Sequence, residues 1–213
     1  MPFSNNRKHL QLATTYLIFF VLLEILVVSS NSLVRRFDTS IQNIFTAITT
    51  ADLTSIFKVI TKLGSPEMNI IYLIIIIILF LKNKFFKEAI WTSSLLIVGN
   101  VIATLVKYSV RRQRPTDKII PASGYSFPSG HTFGTTLLIL TIIILVLPHL
   151  KNLSLKKFLK ILLIVWLILV AISRVYLRGH FPTDVIGSML LAGVCWEYAE
   201  LIYLHVITTK KKG

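Results

Sequence analysis

The stretch SRVYLRGHFPTD, Ser173 to Asp184, lies between two long apolar runs and carries an arginine, a histidine and an aspartate within twelve residues. A polar segment so flanked reads as a short connection at a membrane surface, with one crossing helix ending before it and another beginning after it. With the chain turning helical near Pro182, His180 and Asp184 stand four apart and their side chains meet on one face, carboxylate to imidazole. An aspartate placed there fixes the histidine tautomer and leaves the other ring nitrogen free to attack an electrophile. Arg174 adds a planar, permanently charged donor fork that matches phosphate oxygens.

Composition agrees with a membrane setting. Of the 213 residues 54% are hydrophobic and only 15% charged, so the chain is expected to be a single integral membrane domain over residues 1–213. A formal net charge of +14 would point to nucleic acid on a soluble protein. Here the basic residues cluster at the ends of apolar runs, where they anchor in lipid headgroups. A bilayer surface is therefore the expected polyanion and an anionic lipid the expected ligand, with nucleic acid excluded and no obligate protein partner implied. The single cysteine, Cys195, lies in an apolar run, which rules out an internal disulfide and a multi-thiolate metal site.

Moving outward, six crossings are expected, at about 20 residues each. They cover Leu10 to Ser29, Glu67 to Leu81, Glu88 to Val106, His131 to Leu147, Ile161 to Ser173 and Thr183 to His205. The first lacks a small-x-small cleavage site and reads as a retained helix rather than a signal peptide. Glu24 inside it is by default a functional candidate; the plainer reading is a carboxyl that faces other helices or stays protonated. Between the first two crossings, Asn31 to Pro66 mixes apolar and polar residues at helical spacing and is expected to be amphipathic helix along the membrane or folded over the bundle. Lys151, Lys156, Lys157 and Lys160 are expected in a loop, and Lys210 to Lys212 in a basic tail. His9, His149 and His205 read as ordinary interfacial residues. The fold class is thus an all-α membrane bundle of six transmembrane helices.

An even number of crossings puts both termini on one side. Lys and Arg on that side number 12 against 11 on the other. Setting aside Lys107, Arg111, Arg114, Arg174 and Arg178, which have a chemical reason for their positions, leaves 12 against 6. The termini are then expected in the cytoplasm, with the reactive stretch facing outward.

Parity also brings a second segment to the same face, because two crossings separate His131 from His180. This segment holds Lys107, Arg111, Arg112, Arg114 and then Phe127-Pro128-Ser129-Gly130-His131 at the start of the fourth crossing. Ser129 and Gly130 at a helix start offer a hydroxyl, backbone N–H groups and the positive end of the dipole, a ready anion site. His131 can donate a proton. With Lys107, Arg114 and Arg174 around it, such a pocket attracts a group of about two negative charges, as a phosphomonoester carries. Arg111 and Arg112 either hold a second phosphate or anchor in headgroups. Lys118 and Arg178 are expected at the pocket rim, with Tyr125 and Phe127 at its mouth or in an interfacial belt.

Lys107, six residues, Arg114-Pro115; Pro128 to His131 as PSGH; and Ser173-Arg174, five residues, His180, three residues, Asp184 together resemble the three-part signature of the type 2 phosphatidic acid phosphatase superfamily. The resemblance is strongest over residues 60–205. It implies that His180 is the nucleophile that forms a phosphohistidine and that Asp184 orients and charge-balances it. It implies that His131 protonates the leaving oxygen and later activates water, while Lys107, Arg114, Arg174, Ser129 and Gly130 bind the phosphate oxygens. No cofactor or metal is implied, and the sequence displays no ligand cluster for one. The expected substrate is a lipid phosphomonoester or terminal diphosphate such as undecaprenyl diphosphate, phosphatidylglycerophosphate or phosphatidate. The same phosphohistidine would also serve a lipid phosphotransferase, and a basic vestibule would also suit a non-enzymatic anion or lipid transporter.

Overall fold

The structure is a computed structural model that describes residues 6–210 and the side chains of residues 7–206. The expected basic tail lies outside those side chains. Eight α-helices run in order: α1 (Asn6–Val28), α2 (Ser32–Ala47), α3 (Ala51–Leu63), α4 (Pro66–Lys82), α5 (Phe86–Val110), α6 (Gly130–Thr141), α7 (Leu153–Tyr176) and α8 (Pro182–Lys210). The last part of α6 continues as one wide turn over Ile142–Val146 and one tight turn over Leu147–His149. No strand occurs among the described residues.

Five helices are long and apolar enough to cross a bilayer, and α3 with α4 meets the same measure as a pair bent by 43°. The bend follows from the chain: Gly64 ends α3, the Ser65 hydroxyl accepts from the Met68 amide, and Pro66 opens α4. With 17 residues α4 is about 25 Å long. The all-α bundle is therefore present, with five of the six expected crossings as single helices and the second only as the bent α3–α4 pair. Helix length departs most from expectation in α7. Asn152 caps it through the Leu155 amide at 3.0 Å, so Lys156, Lys157 and Lys160 are helical rather than in a loop. Lysine is a good helix former and can lay its stem on apolar surface while its head reaches water.

The amphipathic segment is two helices, broken at Ile48–Thr50. Asn31 caps α2 through the Leu33 amide at 2.9 Å, and Thr50 caps α3 through the Leu53 amide at 3.3 Å. Both fold onto the bundle, α2 against α7 and α8, and α3 against α7.

The centre of the bundle is α6, which touches α4, α5, α7 and α8, while α1 lies along α8. Phe133 and Leu137 of α6 pack with Trp91, Leu95 and Trp196 in the main apolar cluster. Ile18, Phe19, Ile90, Ile97, Leu105 and Ile161 face outward. So much exposed aliphatic surface suits lipid rather than water. Asn69 on α4 sets the register of α6, its amide donating to Thr135 Oγ1 at 3.0 Å and to the Gly64 carbonyl at 3.1 Å.

Candidate active site

Four helix ends converge. The last turn of α5 brings Lys107, the first turn of α6 Gly130 and His131, the last turn of α7 Arg174, and the first turn of α8 Asp184. The α7–α8 connection adds His180, and the segment before α6 adds Arg114. Lys107, Arg114, Gly130, His131, Arg174 and His180 line one cavity of about 560 Å³, roofed by Lys58, Thr61 and Lys62 of α3 and by Ser65, Pro66 and Glu67 at the α3–α4 bend. The two histidines expected to meet thus share a cavity. Ser129 and Asp184 stand behind its wall, both fully buried.

The ring of His180 is 2% exposed and held at both nitrogens. Nδ1 is 2.7 Å from the carbonyl oxygen of Ser126, and Nε2 is 3.0 Å from an Arg114 guanidinium nitrogen. A carbonyl can only accept and a guanidinium can only donate, so Nδ1 carries the proton and Nε2 presents its lone pair. Burial pushes the His180 pKa down to about 4, opposed by the hydrogen bond and charge of Asp184, with Arg174 and Arg114 lowering it further. The imidazole is therefore neutral at physiological pH, as a nucleophile must be. Asp184 places Oδ2 3.5 Å from His180 Nδ1; the same oxygen accepts the Phe181 amide at 2.9 Å. The Ser126 carbonyl, which no sequence motif marks, is the closer partner of the ring.

The cations keep donors in reserve. Lys107 Nζ donates to the carbonyls of Tyr125 at 3.0 Å and Pro128 at 2.9 Å, leaving one of its three protons for a ligand. Arg114 Nε binds the carbonyls of Ser123 and Gly124 at 3.1 and 2.9 Å, and Nη1 also donates to the Gly179 carbonyl at 2.6 Å. Arg174 donates from Nη1 to Thr61 Oγ1, while its Nε is buried without a hydrogen-bond partner. Gly179 makes that pose fit: a Cβ there would lie 2.5 Å from Arg174 Nη2. Likewise a Cβ on Gly187 would lie 2.4 Å from the ring of Phe127, which is fully buried against α8 instead of lining the mouth.

Ser129 acts as the cap of α6, its Oγ accepting from the Thr132 amide at 3.4 Å and the Thr132 hydroxyl at 3.2 Å. Of the expected anion site at this helix start, the Gly130 end therefore faces the cavity and the Ser129 hydroxyl does not. Arg112 is turned away from the cavity. Its guanidinium bridges Asp38 Oδ2 at 2.6 Å and Asp184 Oδ1 at 2.7 Å, and also binds Thr183 Oγ1 at 2.7 Å. A second-phosphate or headgroup role does not fit that position, because both ends of its fork already hold carboxylates. Asp38 of α2 further accepts the Thr183 amide at 2.9 Å and hydroxyl at 2.8 Å. Sequence reasoning missed Asp38 because it lies in an amphipathic stretch with no motif. Arg111 ends α5 exposed, in the left-handed conformation with φ 50°, its Nε on the Tyr108 carbonyl. Arg178 pairs with Asp117, Lys118 binds the Ala122 carbonyl, and Tyr125 packs edge-on to Tyr108. Glu24 is half-buried in a separate crevice between α1 and α5.

One His/Glu group forms elsewhere among the described residues. His9 Nδ1 lies 2.7 Å from Glu197 Oε2 and 2.6 Å from Glu200 Oε2, with ligand-type atoms all within 4.8 Å of one another. His9 is thus paired with carboxylates rather than merely interfacial, and its partners sit 188 or more positions away, beyond any spacing rule. Glu200 is 16 residues past Asp184 on α8, about 24 Å along the axis, so this group takes no part in the cavity.

Fold and site together define a class: a helical membrane protein with a cationic, two-histidine cavity built from helix ends. The sequence profile of the PAP2 superfamily matches residues 42–206, and the chain belongs to that superfamily. It is 32% identical over 145 residues to phosphatidylglycerophosphatase B of Bacillus subtilis, covering 65% of this chain and 70% of that protein. It is 47% identical over 93 residues to phosphatidylglycerophosphatase B of Haemophilus influenzae, covering 43% of this chain and 35% of that one. Among solved structures it resembles a transmembrane PAP2-type phosphatidylglycerolphosphate phosphatase from B. subtilis, with a TM-score of 0.80 at 26% identity over 92% of this chain and 96% of the other. Aquifex aeolicus LpxE shares the fold, with a TM-score of 0.59 at 20% identity over 76% and 93%.

Proposed function

We propose that this protein removes the phosphate of a lipid phosphomonoester, or the terminal phosphate of a lipid diphosphate, through a phosphohistidine on His180. The carrying observation is the unprotonated Nε2 of His180, which meets the Arg114 guanidinium at 3.0 Å in the wall of a cavity that also holds His131, Lys107, Arg114 and Arg174. Nε2 attacks phosphorus as the P–O bond to the lipid breaks, and His131 gives its proton to the leaving oxygen. His131 then takes a proton from water, whose oxygen attacks phosphorus; the P–N bond breaks and phosphate leaves with His180 neutral again. Lys107, Arg114, Arg174 and the first turn of α6 hold the oxygens where charge gathers. Asp184 and the Ser126 carbonyl keep the ring in its tautomer.

The two relatives named phosphatidylglycerophosphatase B support phosphatidylglycerophosphate as the first substrate to try. Undecaprenyl diphosphate and phosphatidate are the others. The acyl or prenyl tails stay in the bilayer while the headgroup enters between α3 and α6, at the extracytoplasmic face, and the termini lie in the cytoplasm. Arg111, exposed at the end of α5, suits anchoring in a headgroup.

The test is phosphate release by the purified protein in detergent micelles carrying each lipid. Wild type should release phosphate and His180→Ala should lose at least 10³-fold in kcat. A radiolabelled terminal phosphate should be trapped on the His131→Ala protein as an acid-labile, base-stable adduct. Undiminished release by His180→Ala would end this reading. A label passed to an added acceptor lipid instead of water would favour the phosphotransferase.

A further inference from the structure

The cavity holds more positive charge than one phosphate calls for. Lys58, Lys62, Lys107, Arg114 and Arg174 line it against the single carboxylate of Glu67 among the lining residues, which leaves four positive charges. A phosphomonoester carries about two negative charges at neutral pH, and Lys107, Arg114 and Arg174 already surround the nucleophile. Lys58 and Lys62 remain.

Their placement is specific. Four apart on α3, they present their side chains on one face of the helix, and Thr61 between them holds Arg174 Nη1. The same turn of α3 thus anchors a phosphate-cradle arginine and sets two lysines beside it. Both lysines are exposed within the cavity, and neither forms an ion pair with a carboxylate of the described residues. Of the sequence's two candidates for a second anion, Arg112 is engaged with Asp38 and Asp184 and Arg111 is not among the residues lining the cavity.

Building on the lipid phosphatase reading above, we infer that Lys58 and Lys62 form a second anion subsite, which selects lipids carrying another phosphate group close to the one removed. The second group is either the bridging phosphodiester of a headgroup or the inner phosphate of a diphosphate; both present an anionic phosphate oxygen within one headgroup's length.

Comparison of wild type, a Lys58→Ala/Lys62→Ala protein and a Lys58→Arg/Lys62→Arg protein tests this, in neutral detergent micelles at fixed lipid mole fraction. Three substrates serve: phosphatidylglycerophosphate, a polyprenyl diphosphate, and phosphatidate with its one phosphate. The alanine pair should lose about tenfold or more in kcat/KM on a two-phosphate substrate, mainly through KM, and stay within about twofold on phosphatidate. The arginine pair should restore the loss. Which of the two-phosphate lipids is affected tells the phosphodiester from the inner phosphate. Equal loss on all three lipids would mean general surface attraction and overturn the subsite, as would no loss on any. A wild type that releases phosphate from none of them would remove the phosphatase reading itself and the subsite with it.

Discussion

At the scale of single residues, the tautomer of His180 is defined by two partners that cannot exchange roles, the Ser126 carbonyl and the Arg114 guanidinium. The consequence can be read by ¹⁵N NMR of histidine-labelled protein in detergent. Burial lowers the His180 pKa from the usual 6.5 to about 4, so between those values this ring stays neutral, with its proton on Nδ1, while exposed rings charge. The sign for stability follows from the same shift: the unfolded chain takes up a proton between pH 6.5 and 4 that the native site refuses, so the native state loses stability as pH falls through that window. A ring titrating near 6.5 would contradict the buried geometry. Neighbouring residues separate by kinetics. His131→Ala should lower kcat about 10²-fold with KM little changed, whereas Arg114→Ala should also raise KM, since it donates to His180 Nε2 and in the proposed mechanism also binds a phosphate oxygen. Full turnover in the His131 variant would deny it a proton role.

At the scale of elements, α2 is more than a flap on the membrane surface. Asp38, 1% exposed, is joined through Arg112 to Asp184 and through Thr183 to the start of α8. Tyr176 on α7 bonds Thr50 and Thr54, and Arg178 bonds Thr46 of α2, so the α2–α3 pair is stitched to the connection that carries His180. Asp38→Asn should therefore lower kcat about tenfold while leaving KM within about twofold, and should lower the thermal unfolding midpoint, because breaking one partner of a buried ion pair leaves the other uncompensated. Unchanged kcat in a stably folded Asp38→Asn protein would show that Arg112 alone holds Asp184. Neither α2 as a separate helix nor its link to the site was legible: the hydrophobic period of residues 31–66 shows an amphipathic face but not the break at Ile48–Thr50, which depends on the Thr50 cap and on packing against Tyr176.

For the whole molecule, the antiparallel bundle sets the ends of α5 and α7 and the starts of α6 and α8 at one level, and a site assembled from helix ends faces one side only. From the distribution of basic residues we propose that this side lies outside the cytoplasm. In a Cys195→Ser background, a membrane-impermeant maleimide added to intact cells should label Ser123→Cys, in the exposed loop beside the cavity, and should reach Asn83→Cys between α4 and α5 only after permeabilisation. The reverse pattern would invert the orientation.

The apolar runs, the basic residues at their ends and the separation of His131 from His180 by two crossings determined an all-helical membrane bundle with both histidines on one face. They could do so because lipid forces nearly every spanning segment to declare itself as a long apolar stretch. Lys107, Arg114, Gly130, His131, Arg174 and His180 reach the cavity as their order along the chain implied. Only the tertiary structure decided that Arg112 turns to Asp38 and Asp184, that Ser129 caps α6, that the Ser126 carbonyl holds the His180 ring, and that Lys58 and Lys62 enter the cavity. Each of those depends on which way a side chain or carbonyl points once remote segments pack together, and hydropathy and spacing carry no information about that direction.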